Sequence, residues 1–404
     1  MLAPLTSRTA TALLSPSARV LAASSLPDCG VAVAPALPWA DVHWPTLVAL
    51  TSFERAESQV FTLLRAAPVG SVPDDVQHAV QQLYRVALFR SAELADAAGA
   101  ACDALTAARV PALWLKGAAL AMQSSAEFAS RNMGDLDVLV APDHLVAARA
   151  ALRGAGFTDG PVDGTYAQHH HEAPMHWRSG IRLELHTALF PPKHPFTDES
   201  ADIWLKRGRE VLWGTRAVRV LTDVWHVVHA STHWAWSHEG EVGTWQYLHD
   251  MHRLAGGWPT DSPNWGRVLG AAELIGASRP VGWATWTAER LGGLRLIDSI
   301  VDRLRDADSL RLLGLVEREW VLRAFHSPAA SPSVKWSRFW WRRAMGGLGD
   351  QRRAWPWAIG RVAALGAPVA DETAQSAAPE GGGTRRVGER LRGWRRHLGR
   401  VLGS

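Results

Sequence analysis

Two short segments of alternating apolar and polar residues most constrain what this chain can fold into. They span residues 135–140 and residues 181–186. A period of two is typical of a β-strand that buries one of its faces. Asp135 and Asp137 share the polar face of the first segment, and Glu184 lies on the polar face of the second. The pattern therefore predicts two strands that present acidic side chains.

A further strand is predicted ahead of these two. The apolar run 110–115 leads directly into Lys116 and Gly117, which is typical of a buried strand that turns into a helix. A hairpin is predicted at 175–181, because Ser179-Gly180 separates two strand-like segments. Its second strand is the one that carries Glu184.

Acidic side chains in this arrangement favour a metal site. Asp135 and Asp137 point the same way from one strand, so their carboxylates repel each other unless a cation lies between them. Carboxylate oxygens suit Mg²⁺, which also binds substrate phosphates. Glu184 on a neighbouring strand would complete such a site. Sites of this kind transfer phosphoryl or nucleotidyl groups by holding phosphates and orienting an attacking hydroxyl.

These segments resemble the polymerase-β-type nucleotidyltransferase superfamily. Within it they most resemble one branch, a large bacterial family of uncharacterised nucleotidyltransferases. The resemblance covers roughly residues 40–325. It is carried by three motifs: Leu115-Lys116-Gly117, Arg131-x-x-x-Asp135-x-Asp137 and Glu184-Leu185-His186.

The resemblance implies an α+β fold, in which a polymerase-β-type core of a small mixed sheet with helices is flanked by helical subdomains. It implies Mg²⁺- or Mn²⁺-dependent transfer of a nucleoside monophosphate, expected to be AMP from ATP, to a hydroxyl group. The implied catalytic and metal-binding residues are Asp135, Asp137 and Glu184, with Glu184 also the base toward the acceptor. The implied nucleotide-binding residues are Lys116, Gly117, Ala118, Arg131 and His186. For His186, support of the site and a purely structural role both remain open.

The helix start departs from the wider superfamily pattern. Gly117-Ala118 replaces the usual Gly-Ser or Gly-Gly, Lys116 precedes it, and the distance to Asp135 is longer than in compact members. Phosphate binding is then left to backbone N–H groups at the helix start, to Lys116 and to Arg131. The nucleotide preference stays open.

Changes in composition along the 404 residues predict five parts. These are an N-terminal segment (1–40), a helical subdomain (41–109), the core (110–222), a second helical subdomain (223–327) and a basic, Trp- and Arg-rich tail with a linker (328–404). The first part imitates a transit or signal segment, but a helix over about 8–24 is the preferred interpretation. A long helix is predicted from residue 74 to about 105, with Val76, Val80 and Phe89 among its buried residues.

The net charge of +4 is concentrated in the tail. Residues 381–404 hold seven Arg and one Glu, which leaves a charge of about −2 for the rest of the chain. Long nucleic acid is therefore disfavoured as the acceptor, and a small molecule, a peptide or a protein is expected. Residues 385–402 form a predicted basic amphipathic helix that suits an anionic membrane or an acidic partner, unless it packs weakly or is disordered. Two cysteines and the absence of a long apolar stretch favour a cytoplasmic protein.

Several histidines leave further alternatives. His169, His170 and His171 are interpreted as an exposed strand edge, with contact to the acceptor or phosphates as the alternative. His226, His229 and His233 have helical spacing. No Glu adjoins His229, however, and no further ligand lies at a sequence distance typical of a zinc site. The resemblance places His233 and Asp250 beside the nucleotide cleft. The alternatives to an enzyme are a non-catalytic nucleotide- or partner-binding module and a membrane-peripheral protein that acts through its tail.

Overall fold

The computed structural model describes most of the chain up to residue 325. The described residues are 5–123, 128, 131–160, 172–190, 194–197, 199–240, 242–296, 317–318, 320–322 and 324–325. The predictions for His169, His170 and His171 and for the tail 328–404 lie outside them. Within them, no helix has both the length and the apolar character needed to span a membrane.

A mixed sheet of seven strands forms the centre of the described fold. Its strands, in chain order, are β1 (Ala112–Trp114), β2 (Asp135–Val140), β3 (Thr158–Asp159), β4 (Met175–His176), β5 (Arg182–His186), β6 (Gly208–Trp213) and β7 (Arg216–Leu221). Their spatial order is β3-β4-β5-β2-β1-β7-β6. The β2–β5 and β1–β7 pairs are parallel and the others are antiparallel. The predicted strands and the predicted hairpin β4–β5 are confirmed.

Twelve α-helices have both ends within the described part of the chain. They are α1 (Ser7–Leu13), α2 (Pro16–Ser24), α3 (Trp44–Phe53), α4 (Glu57–Arg65), α5 (Asp74–Ala107), α6 (Lys116–Ala121), α7 (Leu145–Gly154), α8 (Ala201–Lys206), α9 (Asp223–Thr232), α10 (Thr244–Ala255), α11 (Pro263–Leu274) and α12 (Ser278–Gly292). A π-helical turn, His233–Ser237, follows α9. The architecture is therefore mixed α+β.

The predicted helix over 8–24 is in fact two helices. The Ser15 side chain accepts a hydrogen bond from the backbone N–H of Ala18, and Pro16 occupies the first turn of α2. Both residues favour a new helix start, so α1 ends at Leu13. This N-terminal segment is tied to the C-terminal helices, since Trp245 Nε1 donates to Ser24 Oγ at 2.9 Å.

The long helix α5 is confirmed, but its predicted buried stripe is partly wrong. Asp74 and Asp75 in its first turn interact favourably with the helix dipole. Val76 and Val80 are buried as expected, whereas Phe89 is 69% exposed. The buried face of α5 changes along the helix. Its first half packs on α4, whereas Leu94 and Ala97 in its second half pack with the sheet.

The two faces of the sheet contribute to two apolar clusters. Leu136, Val138 and Val140 on one face pack with α5 and α7. Leu113 and Leu139 on the other face join the N-terminal and C-terminal helices in the larger cluster. The acidic residues of β2 alternate along the strand with these three apolar residues, and Glu184 of β5 shares the face of the acids. The acids therefore lie on the face of the sheet that meets α9 and α10.

Candidate functional site

Parallel pairing of β2 with β5 brings the two best candidate carboxylates together. Asp137 is the register partner of Glu184, and Leu139 is that of His186. Register partners on adjacent strands point to the same face, about 4.8 Å apart. Asp137, Glu184 and His186 are only 3%, 9% and 1% exposed. Two acids are therefore held side by side in a largely buried position.

The same three side chains converge closely enough to hold a metal ion. One ligand atom from each lies within 4.8 Å of the other two, and no other group of three does so in the described residues. His186 Nε2 lies 2.8 Å from Asp137 Oδ1 and 3.9 Å from Glu184 Oε2. An ionised carboxylate only accepts hydrogen bonds, so Nε2 carries the proton and donates to Asp137. His186 thereby orients Asp137.

Lys116 places a cation directly against this group. Its Nζ lies 2.7 Å from Asp137 Oδ1, and the side chain is 25% exposed. Burial alone would raise the pKa of Asp137, but the charges and hydrogen bonds of Lys116 and His186 lower it well below its usual value. Burial likewise disfavours the Lys116 ammonium, yet Asp137, Asp135 and Glu184 together raise the pKa of Lys116. The pair is therefore ionised.

Asp135 lies on the same face but outside the converging group. Its Oδ2 accepts a hydrogen bond from Arg182 Nη2 at 2.9 Å, and Arg182 also lies 3.5 Å from Glu184 Oε1. Asp135 lines the same cavity as Asp137 and Glu184. Of the three acids expected from the sequence, the structure brings two into contact distance and places the third at the cavity wall.

The close approach of Arg131 explains why residue 117 is glycine. A Cβ atom there would overlap Arg131 Nη1 and lie 2.6 Å from Met133 Sδ. Arg131 itself donates from Nε and Nη2 to both carboxylate oxygens of Asp250, at 2.9 and 2.7 Å. This buried pair ties the segment before β2 to α10. Ala118 is buried in the apolar cluster and does not line the cavity.

A cavity of about 680 Å³ opens over these residues. Its volume lies within the range of sites for small molecules and cofactors. The sheet contributes the acids, the turn after α3 contributes Arg55, and α9, the π-helical turn and α10 form the opposite wall. Residues lining that wall are His226, His229, His233, Trp234, His238, Gln246, Tyr247 and Asp250. The site thus combines residues from three separate parts of the chain.

Two histidines of the opposite wall, His226 and His229, are held in their neutral form near pH 7 by burial. Burial lowers the pKa of His226 to about 4 and lowers that of His229 well below its usual value. In the part of the chain that the structure describes, His226, His229 and His233 do not join a converging group of metal ligands. Their helical spacing reflects a cavity-facing side shared by α9 and the π-helical turn. His233 and Asp250 both line the cavity.

Trp234, Tyr247 and Arg55 were missed by the sequence analysis. The rings of Trp234 and Tyr247 stack with centroids 4.7 Å apart and planes 5° from parallel. Trp234 belongs to the π-helical turn, a distortion that is frequent at functional sites. Arg55 has a left-handed backbone, with φ of 57°. Neither the π-helical turn nor the left-handed backbone of Arg55 produces a periodic pattern in the sequence.

A family model described as "uncharacterised nucleotidyltransferase" matches residues 40–293, more than half of the chain. The chain belongs to this nucleotidyltransferase family. The match begins just before α3 and ends after α12, so the family region includes the whole sheet and every cavity-lining residue named above. No curated protein and no solved structure matches this nucleotidyltransferase chain.

Proposed function

We propose that this chain is a metal-dependent nucleotidyltransferase with a polymerase-β-type core. It would transfer a nucleoside monophosphate, with AMP from ATP as the expected case, to a hydroxyl group of an acceptor. The observation that carries the proposal is the register pairing of Asp137 with Glu184 on parallel strands, within a region that matches the family model. The acceptor would be a small molecule, a peptide or a protein.

The residues fit a divalent cation. Asp137 and Glu184 are buried acids whose oxygens converge, and Asp135 lines the same cavity. Asp137 and Glu184 would hold the ion, with Asp135 as a further carboxylate. Mg²⁺ and Mn²⁺ both prefer such oxygen ligands. The bound ion would neutralise phosphate charge and help to orient the attacking hydroxyl.

The side chains would then perform the transfer as follows. Glu184 accepts the proton of the acceptor hydroxyl, whose oxygen forms a bond to the α-phosphorus of the nucleotide. The bond between that phosphorus and the bridging oxygen breaks, and pyrophosphate leaves with the electron pair. Lys116 and Arg131 line the cavity and neutralise phosphate charge, while His186 keeps Asp137 oriented through its 2.8 Å hydrogen bond.

A second candidate is a non-catalytic module that binds a nucleotide or a partner. It is favoured by the Lys116–Asp137 ion pair, because an ammonium bound to Asp137 competes with a metal ion for the same oxygen. The helix start also lacks the serine that is usual in the wider superfamily. Under this candidate the cavity would bind the ligand without transferring any group.

Transfer of label from an α-labelled nucleotide distinguishes the two candidates. The purified protein is incubated with Mg²⁺ or Mn²⁺ and each α-labelled NTP in turn, with and without a cell extract as the source of acceptors. We expect pyrophosphate release and labelled product, both abolished in Asp135→Asn/Asp137→Asn. The exposed Asp202→Asn change in α8 is the matched control and should leave transfer intact. Nucleotide binding without transfer would favour the module. A protein that neither binds nor transfers a nucleotide would contradict the transferase and leave only a module that binds a partner.

A further inference from the structure

Arg55 occupies an unusual position at the end of α3. The backbone N–H of Ala56 donates to Thr51 O at 2.9 Å, and that of Arg55 donates to Ser52 O at 3.2 Å. These two bonds form a Schellman motif, in which the residue after the C-cap adopts a left-handed conformation and is usually glycine. Here an arginine adopts it, with φ of 57°. The fold thus accepts backbone strain at a residue whose side chain lines the cavity.

The side chain of Arg55 lies against the segment that leads into β2. A Cβ atom at Gly134 would overlap Arg55 Nη1 and lie 2.6 Å from Nη2, so this contact requires glycine. From the other side, Arg90 donates to the carbonyl oxygens of Met133 and Gly134 at 3.2 and 3.0 Å. The guanidinium of Arg55 is therefore held immediately before Asp135, on the approach to the paired acids.

The charge of Arg55 lacks a counter-ion of its own. Of the cavity-lining cations in the described residues, Lys116 pairs with Asp137 and Arg131 pairs with Asp250. No carboxylate of the described residues lies within 4.0 Å of Arg55. Burial lowers the pKa of Arg55 and the charges of Arg90 and Arg131 add to the lowering, whereas the more distant charges of Asp135 and Glu57 partly oppose it. An anion bound in the cavity beside Arg55 would favour its charged form.

We propose that Arg55 binds the phosphate chain of the nucleotide substrate. The planar guanidinium donates paired hydrogen bonds that match phosphate oxygens, and its unpaired state leaves these donors available to a ligand. The inference rests on the proposed function, because it assumes that a nucleoside triphosphate occupies the cavity. It adds that a turn of the N-terminal helical region, well outside the sheet, supplies a residue that selects nucleotides by their phosphate chain.

Substitution of Arg55 by glycine separates binding from folding. Glycine adopts the left-handed conformation readily, so Arg55→Gly should keep a Tm at or above that of the wild type while it removes the guanidinium. Arg55→Lys keeps a point charge without the planar fork. Arg85→Ala, which removes an exposed arginine of α5 that does not line the cavity, is the matched control.

Calorimetric titration with α,β-methylene ATP and with AMP, both in Mg²⁺, tests the inference. We expect Arg55→Gly to weaken binding of the triphosphate analogue by roughly 10- to 100-fold, with AMP affected much less. The affinity of Arg55→Lys for the analogue should lie between those of Arg55→Gly and the wild type. Arg85→Ala should bind the analogue as the wild type does.

Two results would overturn the inference while leaving the proposed function standing. One is wild-type affinity for the analogue in Arg55→Gly, and the other is an equal loss of affinity for the analogue and AMP. A wild-type protein that binds neither compound would instead overturn the proposed function, and this inference with it.

Discussion

At the scale of single residues, the site depends on two close approaches that exclude any side chain. Gly117 lies under Arg131 and Met133, and Gly134 lies under the guanidinium of Arg55. Both glycines adjoin residues that carry charge into the cavity. Their role is to let arginine side chains pass near the backbone, which explains the Lys-Gly pattern at the helix start better than turn geometry alone.

Gly117→Ala tests the first of these contacts. The added methyl group must displace Arg131, which weakens its paired hydrogen bonds to Asp250, so we expect a loss of about 1–3 kcal/mol in the free energy of unfolding. Nucleotide binding should weaken as well. Gly266→Ala, a control in α11 where a Cβ atom meets nothing within 4 Å, should be neutral or stabilising. Chemical denaturation of both variants measures the difference, and equal stabilities would contradict this explanation of Gly117.

At the scale of elements, the buried Glu54 fixes the start of α10. One of its carboxylate oxygens accepts a hydrogen bond from the backbone N–H of Trp245 at 3.0 Å. Burial raises the pKa of Glu54 to about 8, and this hydrogen bond offsets only part of the effect. Since α10 supplies Asp250 and Tyr247 to the cavity wall, Glu54 links the turn after α3 to the site.

Glu54→Gln should change how stability depends on pH. The folded protein favours protonated Glu54, whose pKa lies above its ordinary value of 4.5. This contribution to stability is complete below pH 4.5 and is lost as the pH rises toward about 8. Within that window the wild type should lose up to about 1.4 kcal/mol per pH unit relative to Glu54→Gln. Thermal unfolding of both proteins from pH 5 to pH 9 measures this difference, and parallel stability curves would contradict it.

The elements near the site were predictable, whereas their pairing was not. Alternation identified β2 and β5, and the apolar run into Lys116-Gly117 identified β1 and α6. Alternation carries no information on register. It therefore could not establish that Asp137, and not Asp135, is the register partner of Glu184. Arg55 was unpredictable for a related reason, because its place in the cavity depends on how α3 and α4 pack against α5.

At the scale of the whole molecule, the described helices before and after the sheet share one apolar cluster. Leu21 of α2 and Trp286 of α12 both belong to it, together with Leu113 and Leu139 of the sheet. The sequence predicts an N-terminal segment over 1–40, and its helices α1 and α2 contact the C-terminal helices α10 and α12. We infer that the N-terminal helices stabilise the wall of the cavity.

Leu21→Ala should therefore destabilise the entire described fold. Leu21 is fully buried, and truncation of such a residue typically costs about 2–5 kcal/mol. Val69→Ala, at a fully exposed position, is the control and should have little effect. Circular dichroism and tryptophan fluorescence should report one shifted transition in Leu21→Ala. A separate early transition that leaves nucleotide binding unchanged would show that α1 and α2 fold independently.

Asp137 and Glu184 together are proposed to form a metal site that works with a nucleotide. Electron paramagnetic resonance of Mn²⁺, titrated with and without ATP, tests it most directly. We predict that the wild type and Asp202→Asn bind Mn²⁺ more tightly when ATP is present, whereas Asp137→Asn and Glu184→Gln, if folded by circular dichroism, lose this binding. Folded Asp137→Asn and Glu184→Gln proteins that bind Mn²⁺ and ATP as the wild type does would contradict the claim.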